Sequence, residues 1–167
     1  MTRYEELNNI IHNHKVKKIA EIGIDNGETA RHILNTCHPE LYIMVDIVAN
    51  SQLVTDIRDN YPNAMYLIMP SVDAAKMVDD GSLDMVYIDA DHKYESVKAD
   101  ILAWLPKVKE GGYIGGHDFG RNENDRGWGV RKAVEEIFGK NYIHYPENAI
   151  WEVKVNANCC TPAELHA

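Results

Sequence analysis

Apolar and polar positions in this chain switch repeatedly between two periods. Residues 5–14 place Leu7, Ile10 and Ile11 on one side of a helix. Residues 16–22 then form a mostly apolar, strand-like run interrupted by Glu21, and a second helical pattern covers 28–36. The run LYIMVD at 41–46 is apolar almost throughout, as suits a parallel strand covered on both faces. Ser51 caps a helix to residue 60, residues 64–69 make a third strand, and Ser71 opens a helix ending near Gly81. A fourth strand, LDMVYID, spans 83–89, a long helix 95–108, and a glycine-flanked fifth strand 112–116. Strand and helix alternate over short connections, which predicts a doubly wound, mostly parallel sheet with helices on both faces. After a helix at 130–138, the stretches 141–144 and 149–155 are joined only through YPEN. That is too close for a crossover helix, so they pair as an antiparallel hairpin and bring the sheet to seven strands.

The most specific local signal is VKKIAEIGIDNGET at 16–29, a strand that breaks at Gly23 and Gly27 before a helix. Gly23 permits a turn that a side chain would block, and Gly27 allows close approach of a ligand or of the helix start. Such turns sit at the carboxyl ends of parallel strands, where open α/β sheets hold ligands. The G-x-x-x-G spacing, with Asp25 inside it, lacks the third glycine of dinucleotide folds. Glu21 and Asp25 would repel a diphosphate but suit a ligand bearing an ammonium or sulfonium and ribose hydroxyls. A glycine turn kept only for packing is the competing explanation. Asp46, closing the second strand about 20 residues beyond the glycines, fits the spacing of a ribose-binding acid.

Two further clusters end neighbouring strands: Asp89, Asp91 and His92 in IDADH, and His117 and Asp118 in GGHD. In a doubly wound sheet both open on the rim that carries the glycine turn. Carboxylate and imidazole ligands of this kind suit Mg²⁺, Mn²⁺ or a transition metal. Asp89 and Asp91 could instead cap the following helix. Asp100 and Trp104, farther along that helix, read as packing and surface positions. The polar segment 120–129, GRNENDRGWG, is either a lid over the site or an ordinary solvated loop, with Arg121, Arg126 and Trp128 available to an acceptor.

With 167 residues, one domain is expected, its core at about 16–155 and a loose tail at 156–167. A net charge of −9 argues against bulk attraction to nucleic acid. No apolar run approaches the roughly 20 residues of a membrane span, and MTRYEELNN is not a signal peptide. Cys37, Cys159 and Cys160 have neither C-x-x-C nor zinc spacing, so reduced thiols and a cytoplasmic location are expected.

In EIGIDNGET, the acid of MVDI, LDMVYIDADHKYESVKADILAWL and GGYIGGHDFG, the chain resembles the class I S-adenosylmethionine-dependent methyltransferases, and most closely the group of macrocin-type sugar O-methyltransferases. The resemblance implies a Rossmann-like methyltransferase fold, with S-adenosyl-L-methionine as cofactor held through Glu21, Gly23, Asp25, Gly27, Asp46 and Asp89. Where that group often has Gly-Asp-Ser beside the adenine, this chain has Met69, Pro70 and Ser71, leaving Ser71 as the candidate there. By the same resemblance Asp89, His117 and Asp118 hold Mg²⁺ or Mn²⁺, with His117 in a place usually taken by an acid or amide, and His92 is the base. The function implied is metal-assisted O-methylation of a sugar or other small-molecule hydroxyl. Two alternatives stand beside it: a cofactor-binding domain without transferase activity, and a nicotinamide-dependent oxidoreductase. The chain has little room for a segment covering the acceptor, so the acceptor is large, the site is open, or a second subunit of a homo-oligomer closes it.

Overall fold

A computed structural model describes residues 1–48, 50–120, 129–157 and 159. The lid or loop reading of 120–129 falls outside the described residues except at Gly120 and Gly129, as does most of the tail. Seven strands form one sheet: β1 (Lys18–Ile22), β2 (Leu41–Asp46), β3 (Ala64–Ile68), β4 (Leu83–Ile88), β5 (Val108–Gly116), β6 (Ile143–Tyr145) and β7 (Ile150–Lys154). Their order is β3-β2-β1-β4-β5-β7-β6. The first five run parallel, and β7 is antiparallel to both β5 and β6. The expected doubly wound sheet with its C-terminal hairpin is therefore the observed one.

The strand pleat sorts side chains to two cores. Ala20, Ile22, Val86, Ile88 and Ile114 face α4 (Ser71–Ala75), α5 (Tyr94–Trp104) and α6 (Val130–Phe138). Ile19, Tyr42, Met44, Met85 and Tyr87 face α1 (Arg3–Asn13), α2 (Glu28–Thr36) and α3 (Ser51–Asn60). Period 2 puts Glu21 on this second face with Ile19.

Several boundaries differ from the sequence expectation for local reasons. α1 begins at Arg3 because Thr2 and Glu5 form a capping box: Thr2 Oγ1 accepts from the Glu5 N–H at 3.2 Å, and the Thr2 N–H donates to Glu5 Oε2 at 2.7 Å. Asn50, not Ser51, caps α3, its Oδ1 accepting from the Leu53 N–H. α5 stops at Trp104 and tightens into a 3₁₀ turn, Leu105–Lys107, around Pro106. β5 starts at Val108, earlier than the glycines suggested, with a register shift between Leu83 and Met85 on its neighbour.

α1 is tied to the far edge of the sheet. His14 Nε2 lies 3.0 Å from Glu152 Oε2 and its ring stacks on Tyr113, while Asn148 Nδ2 donates to Glu6 Oε2 at 2.9 Å.

Candidate functional site

β1, β4 and β5 deliver their last residues to one rim. The ladder continues one residue past the strands, the Asp89 N–H donating to the Ile22 carbonyl at 2.7 Å and the His117 N–H to the Ile88 carbonyl at 3.0 Å. Asp118 follows at φ +59°, a left-handed backbone that Asp tolerates better than most residues and that recurs at functional sites.

Two adjoining cavities open on this rim. The first, of about 680 Å³, lies within the usual range of small-molecule sites. It runs from Gly23 and Asp89 past Asp46 to Met69, Ser71 and Asp100, with Ile47 and Val48 exposed at its wall. The second, of about 430 Å³, is polar and contains Arg3, Glu21, His92, His117 and Asp118. Gly23, Ile24, Asp25, Asp89 and Ala90 belong to both.

Asp46 holds the glycine turn. Its Oδ2 accepts from the N–H groups of Ile24 (2.8 Å) and Asp25 (3.1 Å), and its Oδ1 from Val48 N–H (2.9 Å). By lone-pair count one site remains, on Oδ1, for a ligand hydroxyl. Gly23 has φ +88°, and a Cβ there would sit 2.3 Å from the Asp89 carbonyl oxygen. Its constraint is thus the close approach of β1 to β4 beneath the cavity. Gly23→Ala should destabilise the ligand-free protein by about 2 to 4 kcal/mol. Urea unfolding without ligand checks this, and unchanged stability would return Gly23 to a ligand-clearance role. Gly27, expected beside the cofactor, lines neither cavity; it has φ +77° and a Cβ there would come within 2.6 Å of Leu53 Cδ2, so helix packing explains it.

Glu21 is 2% exposed and accepts from Tyr42 Oη at 2.7 Å. Burial pushes its carboxyl up to about 8, the Tyr42 hydrogen bond opposing and the Asp89 charge reinforcing the rise.

The polar cavity centres on a knot of charge. His117 Nδ1 is 3.3 Å from Asp118 Oδ1 and 3.5 Å from Asp89 Oδ1, and His92 Nε2 is 3.4 Å from Asp118 Oδ2. Burial disfavours the His117 imidazolium, but hydrogen bonds to Asp118 and Asp89 outweigh it and raise the His117 pKa. Asp89, His92 and Asp118 each present one ligand atom within 4.8 Å of the others. This trio contains His92 where the resemblance placed His117, which sits behind it at 7% exposure.

Arg3 was not foreseen. Its Nη1 donates to Asp89 Oδ2 at 3.0 Å and lies 3.4 Å from His117 Nδ1; its Nη2 donates to Thr29 Oγ1 at 3.2 Å. The signal was T-x-x-E at 2–5, which starts the helix early enough to point its first turn at the rim. Asp91 behaves as a cap, accepting from Ser96 Oγ at 2.7 Å and the Lys93 N–H at 3.3 Å. Asp100, read as packing or surface, is instead buried and lines the first cavity; Trp104 is buried in the core as a packing residue. Ser71 also lines that cavity, its Oγ accepting from Trp104 Nε1 at 2.8 Å.

A family model described as a methyltransferase domain matches residues 20–119. No curated protein matches the chain in sequence. Among solved structures, cofactor-bound Rv0187 from MTB superposes with TM-score 0.74 at 15% identity, covering 92% of this chain and 80% of that one. A Staphylococcus aureus protein provisionally named a caffeoyl-CoA O-methyltransferase gives 0.68 at 16% identity, covering 91% and 82%. The MycE methyltransferase of mycinamycin biosynthesis, solved with Mg, S-adenosylhomocysteine (SAH) and mycinamycin VI, gives 0.65 at 15%, covering 90% of this chain but 48% of its own. Spermidine synthase from Thermotoga maritima shares the fold as well, at TM-score 0.58 and 16% identity, covering 87% of this chain and 56% of that one, so architecture alone does not specify methyl transfer. The family match does, and it sets aside the nicotinamide-dependent reading: the chain belongs to the methyltransferase-domain family and is an enzyme of the class I, S-adenosylmethionine-dependent fold.

Proposed function

We propose that this enzyme methylates a hydroxyl of a sugar or other small molecule, with a divalent ion assisting. The observation carrying this reading is the shared wall of Gly23, Asp25 and Asp89 between a largely apolar cavity and a polar one containing His92 and Asp118. The first suits a nucleoside, with Asp46 at its ribose; the second suits a polar acceptor, with Glu21 and Asp25 near the junction to receive an ammonium group. S-Adenosylmethionine supplies an activated sulfonium methyl when bound. What remains for the protein is to align an oxygen nucleophile and to remove one proton.

The His92 imidazole takes that proton, and Asp118 Oδ2, 3.4 Å from its Nε2, stabilises the resulting imidazolium. The two carboxylates with a nearby imidazole fit a hard or borderline divalent cation. By the resemblance Asp89, Asp118 and His117 would hold it with His92 as base, whereas the trio whose ligand atoms converge has His92 in place of His117. Such an ion supplies Lewis acidity that lowers the pKa of a coordinated hydroxyl. Arg3, already paired with Asp89, would have to share or release that carboxylate.

EDTA should suppress turnover at least about tenfold across a panel of sugar and phenolic acceptors, while SAH affinity stays nearly unchanged. Mg²⁺ or Mn²⁺ should restore it, and Asp118→Asn should lose metal affinity without unfolding. Full activity in metal-free buffer would remove the ion and leave base catalysis alone. The sequence expectations of a small-molecule partner and of a homo-oligomer belong to this same proposal. Among the described residues no helix is long and apolar enough to cross a membrane.

A further inference from the structure

We propose that Asp100 recognises the exocyclic 6-amino group of the cofactor's adenine, a specificity contact supplied by helix α5. This deepens the reading of the first cavity as the S-adenosylmethionine site and rests on it. The cavity has a defined polarity: the wall it shares with the acceptor cavity must lie near the reacting sulfonium, and Asp46 stands beyond it. A nucleoside laid past Asp46 therefore places its base at the far end, among Met69, Ser71 and Asp100.

Ser71 and Asp100 are polar groups at that end, and Asp91, which also lines the cavity, is already engaged by Ser96 Oγ and the Lys93 N–H. Trp104 is fully buried and its Nε1 donates to Ser71 Oγ at 2.8 Å. Asp100 is 6% exposed, and burial raises the pKa of its carboxyl, with Ser71 opposing the rise. A carboxylate has about four lone-pair sites, and burying one against an apolar cavity is costly unless donors satisfy it. An aromatic amine is the donor that an adenine would bring. Asp100 also interrupts the buried stripe Val97, Ile101 and Trp104 of α5, where an apolar residue would pack more cheaply. The loop after β3 offers Met69, Pro70 and Ser71, with no acid of its own, so the carboxylate beside Ser71 comes from α5, as Asp100.

The test is ligand binding by calorimetry to the full chain, comparing SAH with its 6-oxo (inosyl) and 6-unsubstituted purine analogues. The wild type should prefer SAH by about 10 to 100-fold over both, the range for a hydrogen bond to a charged group, with the 6-oxo analogue the worse because its carbonyl faces a carboxylate. Asp100→Asn, a buried isostere able to offer either an oxygen or an amide N–H, should bring SAH and the 6-oxo analogue to within about threefold of each other. Equal wild-type affinity for all three ligands overturns the assignment, as does a folded Asp100→Asn protein that keeps the full preference. If that variant does not fold, the wild-type ligand series decides alone. Failure of all three ligands to bind would overturn the cofactor site itself, whereas tight SAH binding without discrimination would overturn only the role of Asp100.

Discussion

His92→Ala should lower methyl transfer by about 10² to 10⁴-fold, the usual cost of removing a general base. His92 lines only the polar cavity, so SAH affinity should stay within about twofold of wild type. Its side chain is 25% exposed, open to an acceptor, and Asp118 stands 3.4 Å away to stabilise the protonated ring. The acidic limb of the pH–kcat/KM profile should flatten in the variant, which a merely structural histidine would not cause. Metal content, measured by elemental analysis, separates base from ligand, because the trio Asp89, His92 and Asp118 could also claim this residue for the ion. Retained metal with lost turnover supports the base. Lost metal, with turnover recovered in excess Mn²⁺, would make His92 a ligand and return the base role to an unassigned group.

Cofactor affinity should strengthen with rising pH, by up to about tenfold per unit below pH 8, and level off above it. The cause is Glu21, whose carboxyl burial pushes up to about 8 in the empty protein. At neutral pH it holds a proton that an incoming ammonium must expel. Binding should therefore release close to one proton near pH 7, measurable from calorimetric enthalpies in buffers of different ionisation heat. Glu21→Gln should remove both the pH slope and the proton release. A pH-independent SAH affinity in the wild type, between pH 6 and 8, would detach Glu21 from the ligand. Stability follows the same linkage with the sign of a raised acid. The folded protein binds the extra proton between about 4.5 and 8, so the stabilisation is complete below about 4.5 and is lost as pH rises through about 8.

The sheet was legible because each strand carries a nearly uninterrupted apolar run bounded by turn residues, and the hairpin because YPEN is too short for a crossover. Rim residues Asp89, His117 and Asp118 were legible because strand ends in a parallel sheet share one side. What sequence spacing does not carry is lateral distance. Gly27 and Gly23 look equivalent in a motif, yet one meets Leu53 and the other the backbone of Asp89. Asp100 was hidden because an acid in a helix is usually solvated, and only its position within the stripe of Val97, Ile101 and Trp104 betrayed burial. Arg3 belongs to a helix outside the βα alternation, so no strand-end rule pointed to it.

The placement of α1 has a consequence for the order in which this enzyme assembles. Arg3 bonds to Asp89 across 86 residues of sequence and approaches His117 across 114, while Glu6 and His14 join the hairpin across 142 and 138. α1, which precedes β1 in the chain, can therefore dock fully only after β7 has been inserted between β5 and β6. β1 to β4, which frame the apolar cavity, need none of these longest contacts. During synthesis the strands that frame the apolar cavity can pair before Arg3 reaches the charged knot, and loop closure over the longest separations leaves the contacts of Glu6 and His14 with the hairpin to form last.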